Sequence, residues 1–394
     1  MYGDYAGISR IRGQNGNSFP GDDIVRILIE IGHPAQIHLF KNLAWRLEKD
    51  GHTVKIAISI KEIALDLIKG YGFDYSILYN NVNCGILGKL VLLVNGEMEM
   101  YRLVKRFDPD ILISTTSEIA GPISRIFGKA HIGITDTEHA DLTNFIAYPN
   151  TDIILTPESF KKDLGKKHIR FAGCKELAYL HPNYFKPDPS VLADLGLTEG
   201  DNIFLLRFAA FNATHDTRSE KFDARYMPLL IEKLIKKGEV IISSEVELDP
   251  GLKKYQRRID PMKYHHLLYY SKLYIGEGST SANEAAILGV PALHFERLMY
   301  RAGPRSVTSI IGIMDELQNK YGLVYSFYDE TELLRKADEI LADIGASKRD
   351  WARKREIFLK DKIDVTAFLV WFIENYPGSL AEIKQSPQLQ YNFK

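Results

Sequence analysis

The chain has 394 residues, enough for two or three domains, and its 45% hydrophobic and 26% charged content is the balance of a globular protein. Fifty Lys and Arg against 51 Asp and Glu leave a formal charge of −1, so no global basic field is available for nucleic acid or an anionic membrane. Two cysteines, Cys84 and Cys174, exclude a disulfide framework and a classical structural zinc site.

Residues 1–23 carry five glycines and no apolar core, so they read as a flexible N-terminal arm and not as a secretory signal. From Ile24 the pattern alternates. Ile24–Ile31 is an apolar run and predicts a buried strand. Gln36–Lys49 follows with Ile37, Phe40, Ala44 and Leu47 on one helical stripe. Thr53–Ile58 predicts a second strand and Lys61–Gly70 a second helix. Asp110–Ser114, His131–Ile134 and Asp152–Leu155 predict further strands. Such alternation implies right-handed βαβ units on a parallel sheet.

Three prolines within His181–Pro189 mark a break, because proline extends neither a helix nor a central strand. We take 24–180 as the first domain, 181–200 as a linker and 201–360 as the second domain. The alternation restarts with Asn202–Phe208, Asp223–Lys237, Val240–Ser243, Leu273–Gly276, Ser281–Leu288 and Pro291–Phe295. The expected fold is α/β, two Rossmann-like doubly wound domains facing a cleft, where ligands sit at the carboxyl ends of the strands. Residues 361–394 are expected to form a helix, Val365–Tyr376, packing back on the first domain, and then a polar irregular tail.

Two turns carry the chemistry. In Ile31–Phe40 a strand ends at Gly32-His33-Pro34 and a helix begins, so its free N–H groups line the cleft. His33 and His38 are the side chains there that titrate near neutrality, and His38 suits a general base, or else packs structurally beneath the turn. In the second half a strand runs into Gly276-Glu277-Gly278-Ser279-Thr280-Ser281 and a helix bearing Glu284. Glycines allow close approach, and hydroxyls with free N–H groups would hold a diphosphate without a metal. Glu284, about one turn in, can accept both hydroxyls of a ribose diol. A well-capped helix is the plainer reading of that turn.

Together the turns resemble the GT-B glycosyltransferase superfamily. Pro34 to His38, then Asp50-Gly51-His52-Thr53-Val54, match its first-domain pattern, and Gly278 to Pro291 match the Gly/Ser turn, glutamate and Gly-x-Pro of its second. The segments IGHPAQIHLFKNL, ITDTEHA and DKIDVTAFLVWFIENY look like domain-of-unknown-function family 354, related to UDP-N-acetylglucosamine 2-epimerases and the lipid-linked peptidoglycan glycosyltransferase. The resemblance implies a base or acceptor-side role for His38, diphosphate binding at Ser279 and Thr280, and ribose binding at Glu284. Glu277 departs from the pattern, since a carboxylate beside a diphosphate is unfavourable.

Other candidates follow. Asp136-Thr137-Glu138-His139 end the strand around His131–Ile134, and Asp136 and Glu138 could do acid–base work. Arg207 ends the first strand of the second domain and could clamp a phosphate, with His215 and Asp216 in the loop beyond. Ser114–Glu118 is read as a helix cap, and His265-His266 as helical neighbours on different faces. No His, Cys or Asp cluster has metal spacing. Ile86–Val94 is either a core helix or a peripheral membrane contact ahead of Arg102, Lys105 and Arg106.

The function expected is transfer of a sugar from a nucleotide-diphosphate sugar, UDP-linked, to a glycan or lipid-linked acceptor. It would need no metal or other cofactor and would act in the cytoplasm or at the inner membrane face. A UDP-sugar 2-epimerase and a non-catalytic nucleotide-sugar-binding protein are the alternatives.

Overall fold

The structure, a computed structural model, describes residues 24–61, 63–80, 86–138, 141–208, 219–220, 222–223, 225–244, 248, 250–300 and 303–394. The arm at 1–23, His139, His215 and Asp216 lie outside them.

The first sheet has strands β1 (Arg26–Ile31), β2 (Thr53–Ile60), β3 (Tyr75–Asn80), β4 (Ile111–Ser114), β5 (Ala130–Ile134), β6 (Ile153–Pro157) and β7 (His168–Phe171). All pairings are parallel, in the order β3-β2-β1-β4-β5-β6-β7. Ile27, Ile29 and Ile31 pack into one apolar layer and Leu28 into the other, so the central strand reads as a continuous hydrophobic run. The chain reverses direction across the sheet between β1 and β4, which opens a crevice outside their carboxyl ends.

The second half has β8 (Ile203–Phe208), β9 (Ser219–Glu220), β10 (Glu239–Ser244), β11 (Leu273–Gly276), β12 (Ala292–Phe295), β13 (Arg297–Tyr300), β14 (Gly303–Arg305) and β15 (Val324–Phe327). The parallel sheet runs β10-β8-β11-β12-β15, with its switch point between β8 and β11. Strands β9, β13 and β14 form a small antiparallel sheet beside it.

Helix Val365–Glu374 returns to the first domain, where Thr366 Oγ1 donates to the Ala178 carbonyl at 2.8 Å and Phe368 meets Phe171. The tail is not irregular: it forms helix Gly378–Gln385 and a 3₁₀ turn, Pro387–Phe393. Ile383 is buried, Leu389 and Phe393 are packed against the core, and Gln390 accepts the Ala172 N–H at 2.6 Å.

The two halves meet tightly. Lys362, with no side-chain exposure, bonds Glu158 at 2.6 Å and Glu316 at 2.5 Å. A Cβ on Gly312 would lie 1.8 Å from the Ser159 carbonyl oxygen, so only glycine lets helix Gly312–Asp315 approach the first domain this closely.

Candidate functional site

The β8–β11 switch point brings together one set of predicted residues. Arg207 at the end of β8 registers with Gly276 on β11 and Ser243 on β10. A Cβ at Gly276 would sit 2.3 Å from Tyr274 Oη and 2.8 Å from the Arg207 carbonyl oxygen, which fixes glycine there. Helix Ser279–Ile287 starts earlier than the spacing suggests. Its N-cap is Gly278, without a side-chain cap, so the serines and threonine form the first turn instead of capping it. The N–H groups of Ser279, Thr280 and Ser281 donate to no protein group among the described residues. They lie at the positive end of the helix dipole. Arg207 Nη1 reaches Ser243 Oγ at 3.3 Å, and its guanidinium lies over the Tyr264 ring. Glu277 turns away from this pocket and accepts the Phe222 N–H at 2.8 Å.

Glu284 is 4% exposed. Its Oε1 accepts from Tyr179 Oη at 2.7 Å and pairs with His265 Nε2 at 3.0 Å. Burial opposes its charge, but the His265 charge and the bonds from His265 and Tyr179 outweigh burial and hold the carboxyl below its ordinary value. Tyr179 belongs to the first domain, so the predicted ribose ligand forms a contact between the halves.

His38 stands behind it. Its ring packs edge-on against His265 with centroids 4.6 Å apart and lies 5.5 Å from Tyr179. Its Nδ1 shares a hydrogen bond with Tyr71 Oη at 3.1 Å, and Lys41 Nζ donates to the same phenol oxygen at 3.3 Å. Burial, then His265 and Lys41, pull His38 well below the ordinary imidazole range. Burial likewise takes Lys41 down to about 8. The geometry therefore makes His38 a neutral, enclosed member of a polar chain from Lys41 to Glu284. His33 is exposed at the helix start and accepts the Ala35 N–H, while the Gly32 N–H is taken by Gln36 Oε1 at 2.7 Å.

Beyond the ends of β5 and β7 lie further carboxylates, of which Glu176 reaches the same helix. Asp136 pairs with Lys175 at 2.5 Å. The neighbouring Glu176 accepts from Asn283 Nδ2, on the donor-side helix, at 3.2 Å. Glu176 is 2% exposed; burial and then the Asp136 charge push its carboxyl up to about 7. One Glu176 oxygen and Asn283 Oδ1 have no hydrogen-bond partner among the described residues. Glu138 plays a different part: its Oε1 accepts the N–H groups of Lys161 and Gly312, each at 3.0 Å, and so pins the two halves together. Burial raises its carboxyl above the ordinary value.

The β1–β4 switch point holds a further group that the sequence reading passed over. Glu30, inside an apolar strand, is 6% exposed. Burial raises its carboxyl to about 7, against a hydrogen bond from Ser117 and with help from Glu118. Next to it Thr116 adopts φ 61°, a left-handed conformation that costs a β-branched residue energy and is concentrated at functional sites. Gln36 Nε2 ties this loop to the first helix through Thr115 Oγ1 at 2.5 Å. Ser117 Oγ accepts the N–H groups of Ile119 and Ala120 just ahead of helix Ala120–Phe127, but the N-cap itself is Ile119, outside Ser114–Glu118, and its side chain makes no cap bond. A lone carboxylate in IVRILIEI was the available signal for Glu30. Tyr179, Lys175 and Glu176 gave none, since they lie on a short segment with no periodicity. Among the described residues no group of three or more His, Cys, Asp or Glu could hold a metal ion.

Two parallel doubly wound domains with a glycine- and serine-rich helix start at the second switch point define the GT-B fold, which glycosyltransferases share with sugar-nucleotide epimerases. The chain belongs to the family described as "Protein of unknown function (DUF354)", whose model matches residues 25–302. It is 23% identical over 280 residues to "Uncharacterized protein MJ0665" of Methanocaldococcus jannaschii, covering 68% of this chain and 80% of that protein. Its fold is similar to that of UDP-GlcNAc 2-epimerase from Neisseria meningitidis bound to UDP-GlcNAc, with TM-score 0.56, 12% identity and coverage of 86% of this chain and 99% of that one. It is also similar to SsfS6, a glycosyltransferase of Streptomyces sp. SF2575, with TM-score 0.54, 13% identity and coverage of 89% and 100%.

Proposed function

We propose that this protein is a glycosyltransferase that takes a sugar from a UDP-linked donor and needs no metal or other cofactor. The observation that carries the reading is the first turn of helix Ser279–Ile287. Its three N–H groups, without a protein partner among the described residues, lie at a switch point, near Arg207 and one turn ahead of Glu284. Backbone N–H groups and a guanidinium there would hold the diphosphate and stabilise it as it leaves. Glu284 would take the ribose diol. UDP is preferred because structures of this fold include one with UDP-GlcNAc bound.

An acceptor hydroxyl would attack the anomeric carbon as the bond to the diphosphate breaks, and its proton would pass to a carboxylate. Asp136, half-buried beside Lys175, suits that role better than the enclosed His38, and Glu138 acts by positioning the halves. The β1–β4 crevice with Glu30 supports an acceptor site, as a transferase requires. The acceptor is proposed to be a glycan or a lipid-linked sugar. In helix Ile86–Phe107, Val91, Val94, Met98 and Tyr101 recur at helical spacing and are exposed, which supports peripheral membrane contact. No helix of the described residues is long and apolar enough to cross a membrane.

A second reading, UDP-sugar epimerisation, is favoured by one observation. Glu176, raised to about 7 by burial and then by the charge of nearby Asp136, accepts from Asn283 on the donor-side helix, so two carboxylates are available there for acid–base work. Each of several nucleotide sugars, incubated overnight without acceptor and followed by NMR, separates the readings. Binding of a UDP-sugar that Glu284→Ala abolishes, with the sugar unchanged, supports transfer. Inversion at a sugar carbon supports epimerisation. Absence of any nucleotide binding overturns both.

A further inference from the structure

The far end of the donor-side helix carries a second polar site. A cavity of about 260 Å³ opens where helix Ser279–Ile287 ends, between Tyr269, Tyr270, Lys272 and Gly289 on one side and Lys348 and Arg355 of helix Ile344–Asp361 on the other.

Three cations line it and no carboxylate pairs with any of them among the described residues. Lys348 Nζ donates to the carbonyls of Tyr269 and Ser271, each at 3.1 Å. Arg355 uses only Nε, on the Ile287 carbonyl at 2.7 Å, which leaves its terminal nitrogens without a partner among the described residues. Lys272 Nζ reaches the Glu199 carbonyl at 3.3 Å. The acidic residues at the rim are Glu199 and Glu356. Burial, then the charges of Lys272 and Arg355, bring Lys348 down to about 7. Capping two helix ends accounts for both Lys348 bonds and the one Arg355 bond, yet it needs neither a third cation nor an open cavity between them. An anion of fixed negative charge would relieve the mutual repulsion and fill the remaining guanidinium donors in the planar geometry that phosphate oxygens match.

We propose that this cavity binds a phosphate-bearing anion, distinct from the donor diphosphate. The nine residues of helix Ser279–Ile287 set the two anion sites roughly 14 Å apart along one rigid element. The cavity also touches the end of the helix that carries His265, so occupancy would bear on the Glu284 contact. The proposal does not depend on the sugar-transfer reading, because the cations and the cavity are present whatever the first turn binds.

Inorganic pyrophosphate is the probe, titrated into the full-length chain by calorimetry at constant ionic strength. The wild type should bind it. Arg355→Gln should weaken one binding event at least tenfold while Arg207→Gln leaves that event intact. Lys272→Gln, at a half-buried position with a single carbonyl contact, should weaken the same event and stands in if Arg355→Gln does not fold. Inorganic phosphate and a nucleoside diphosphate, run in parallel, show whether the anion is free or carried on a nucleotide. Absence of pyrophosphate binding, equal binding in Arg355→Gln and Lys272→Gln, complete loss in Arg207→Gln, or equal heats from potassium chloride would each overturn the proposal.

Discussion

Replacing Tyr179 by Phe should tighten nucleotide binding even though it removes a hydrogen bond. Tyr179 Oη and His265 Nε2 both point at Glu284 Oε1, at 2.7 and 3.0 Å, and together use the lone pairs of that oxygen. A ribose diol presenting one hydroxyl to each carboxylate oxygen must displace one of them, and the phenol on the opposite domain is the one that domain movement can withdraw. A buried hydrogen bond to a charged group contributes about 1.5–3 kcal/mol. That is a penalty on the bound state of roughly 10- to 150-fold in affinity. Phenylalanine keeps the ring against His38 and His265 and removes the penalty. Calorimetry with UDP should therefore give Tyr179→Phe a lower Kd than wild type by up to that factor, and Glu284→Gln a higher one. The ligand-free variant should also unfold at lower denaturant concentration. An unchanged or raised Kd in Tyr179→Phe would refute the reasoning, because Glu284 would then not be exchanging Tyr179 for the diol.

Lys362→Ala leaves Glu316 with only the more distant Lys320, at 3.7 Å, and Glu158, which is partly exposed, with no cation among the described residues, a loss at or below the low end of the about 3–5 kcal/mol of a fully buried pair, measurable by chemical unfolding. Pairing it with Glu316→Gln should return part of that loss, and equal stabilities of single and double variants would exclude the ionic explanation. Burial takes His131 and His294 down to about 4, so both stay neutral in the fold while the unfolded chain protonates near 6.5. Their contribution, up to about 3 kcal/mol each, is complete above pH 6.5 and is lost as pH falls toward 4. Unfolding followed across that interval should show a shallower slope in His131→Asn. Glu30, raised to about 7 by burial, should give acceptor-dependent turnover a limb rising through pH 7, absent in Glu30→Gln. An identical pH profile in that variant would remove Glu30 from the acceptor site.

Much of the architecture was legible because central parallel strands are buried on both faces and spell continuous apolar runs. Strands β1, β4, β5, β8 and β11 announced themselves this way. Strands β3, β7 and β15 did not, and each sits at a sheet edge where at least half its residues are not fully buried. Tyr75–Asn80 and His168–Phe171 therefore alternate with polar residues and resemble loops. Helix ends were misplaced for a local reason. Serines 279 and 281 look like caps in sequence, but Gly278 holds the extended φ and ψ of the cap, which moves the hydroxyls into the first turn. The candidate site was legible only one wall at a time. Arg207, Ser279 and Glu284 belong to motifs within single segments. The partners that complete the site, Tyr179, Glu176 and His265, are joined by domain packing across separations of 105 residues for Tyr179 to Glu284 and 107 for Glu176 to Asn283. No local pattern encodes such distances.

The contacts between the halves divide into two kinds, and the division predicts how the cleft works. Lys362 with its two carboxylates, and Glu138 with the N–H groups of Lys161 and Gly312, lie away from the donor turn and bury charge that no ligand would replace. Breaking either leaves a buried ion or N–H unpaired, so these contacts should persist as a hinge. The contacts on helix Ser279–Ile287 differ. Tyr179 to Glu284 and Glu176 to Asn283 each join a first-domain side chain to a group that a nucleotide sugar could satisfy instead, and one Glu176 oxygen and Asn283 Oδ1 are already short of a partner among the described residues. Donor binding should therefore release the segment around Tyr179 and leave the hinge closed. Hydrogen exchange with and without UDP tests this directly. Amides of residues 175–180 should lose protection on binding, while those of Lys161 and Gly312, which donate to Glu138, should not change. Loss of protection at Lys161 and Gly312 would instead mean that the halves separate as a whole, and the Glu138 contact would then be part of the moving surface rather than its pivot.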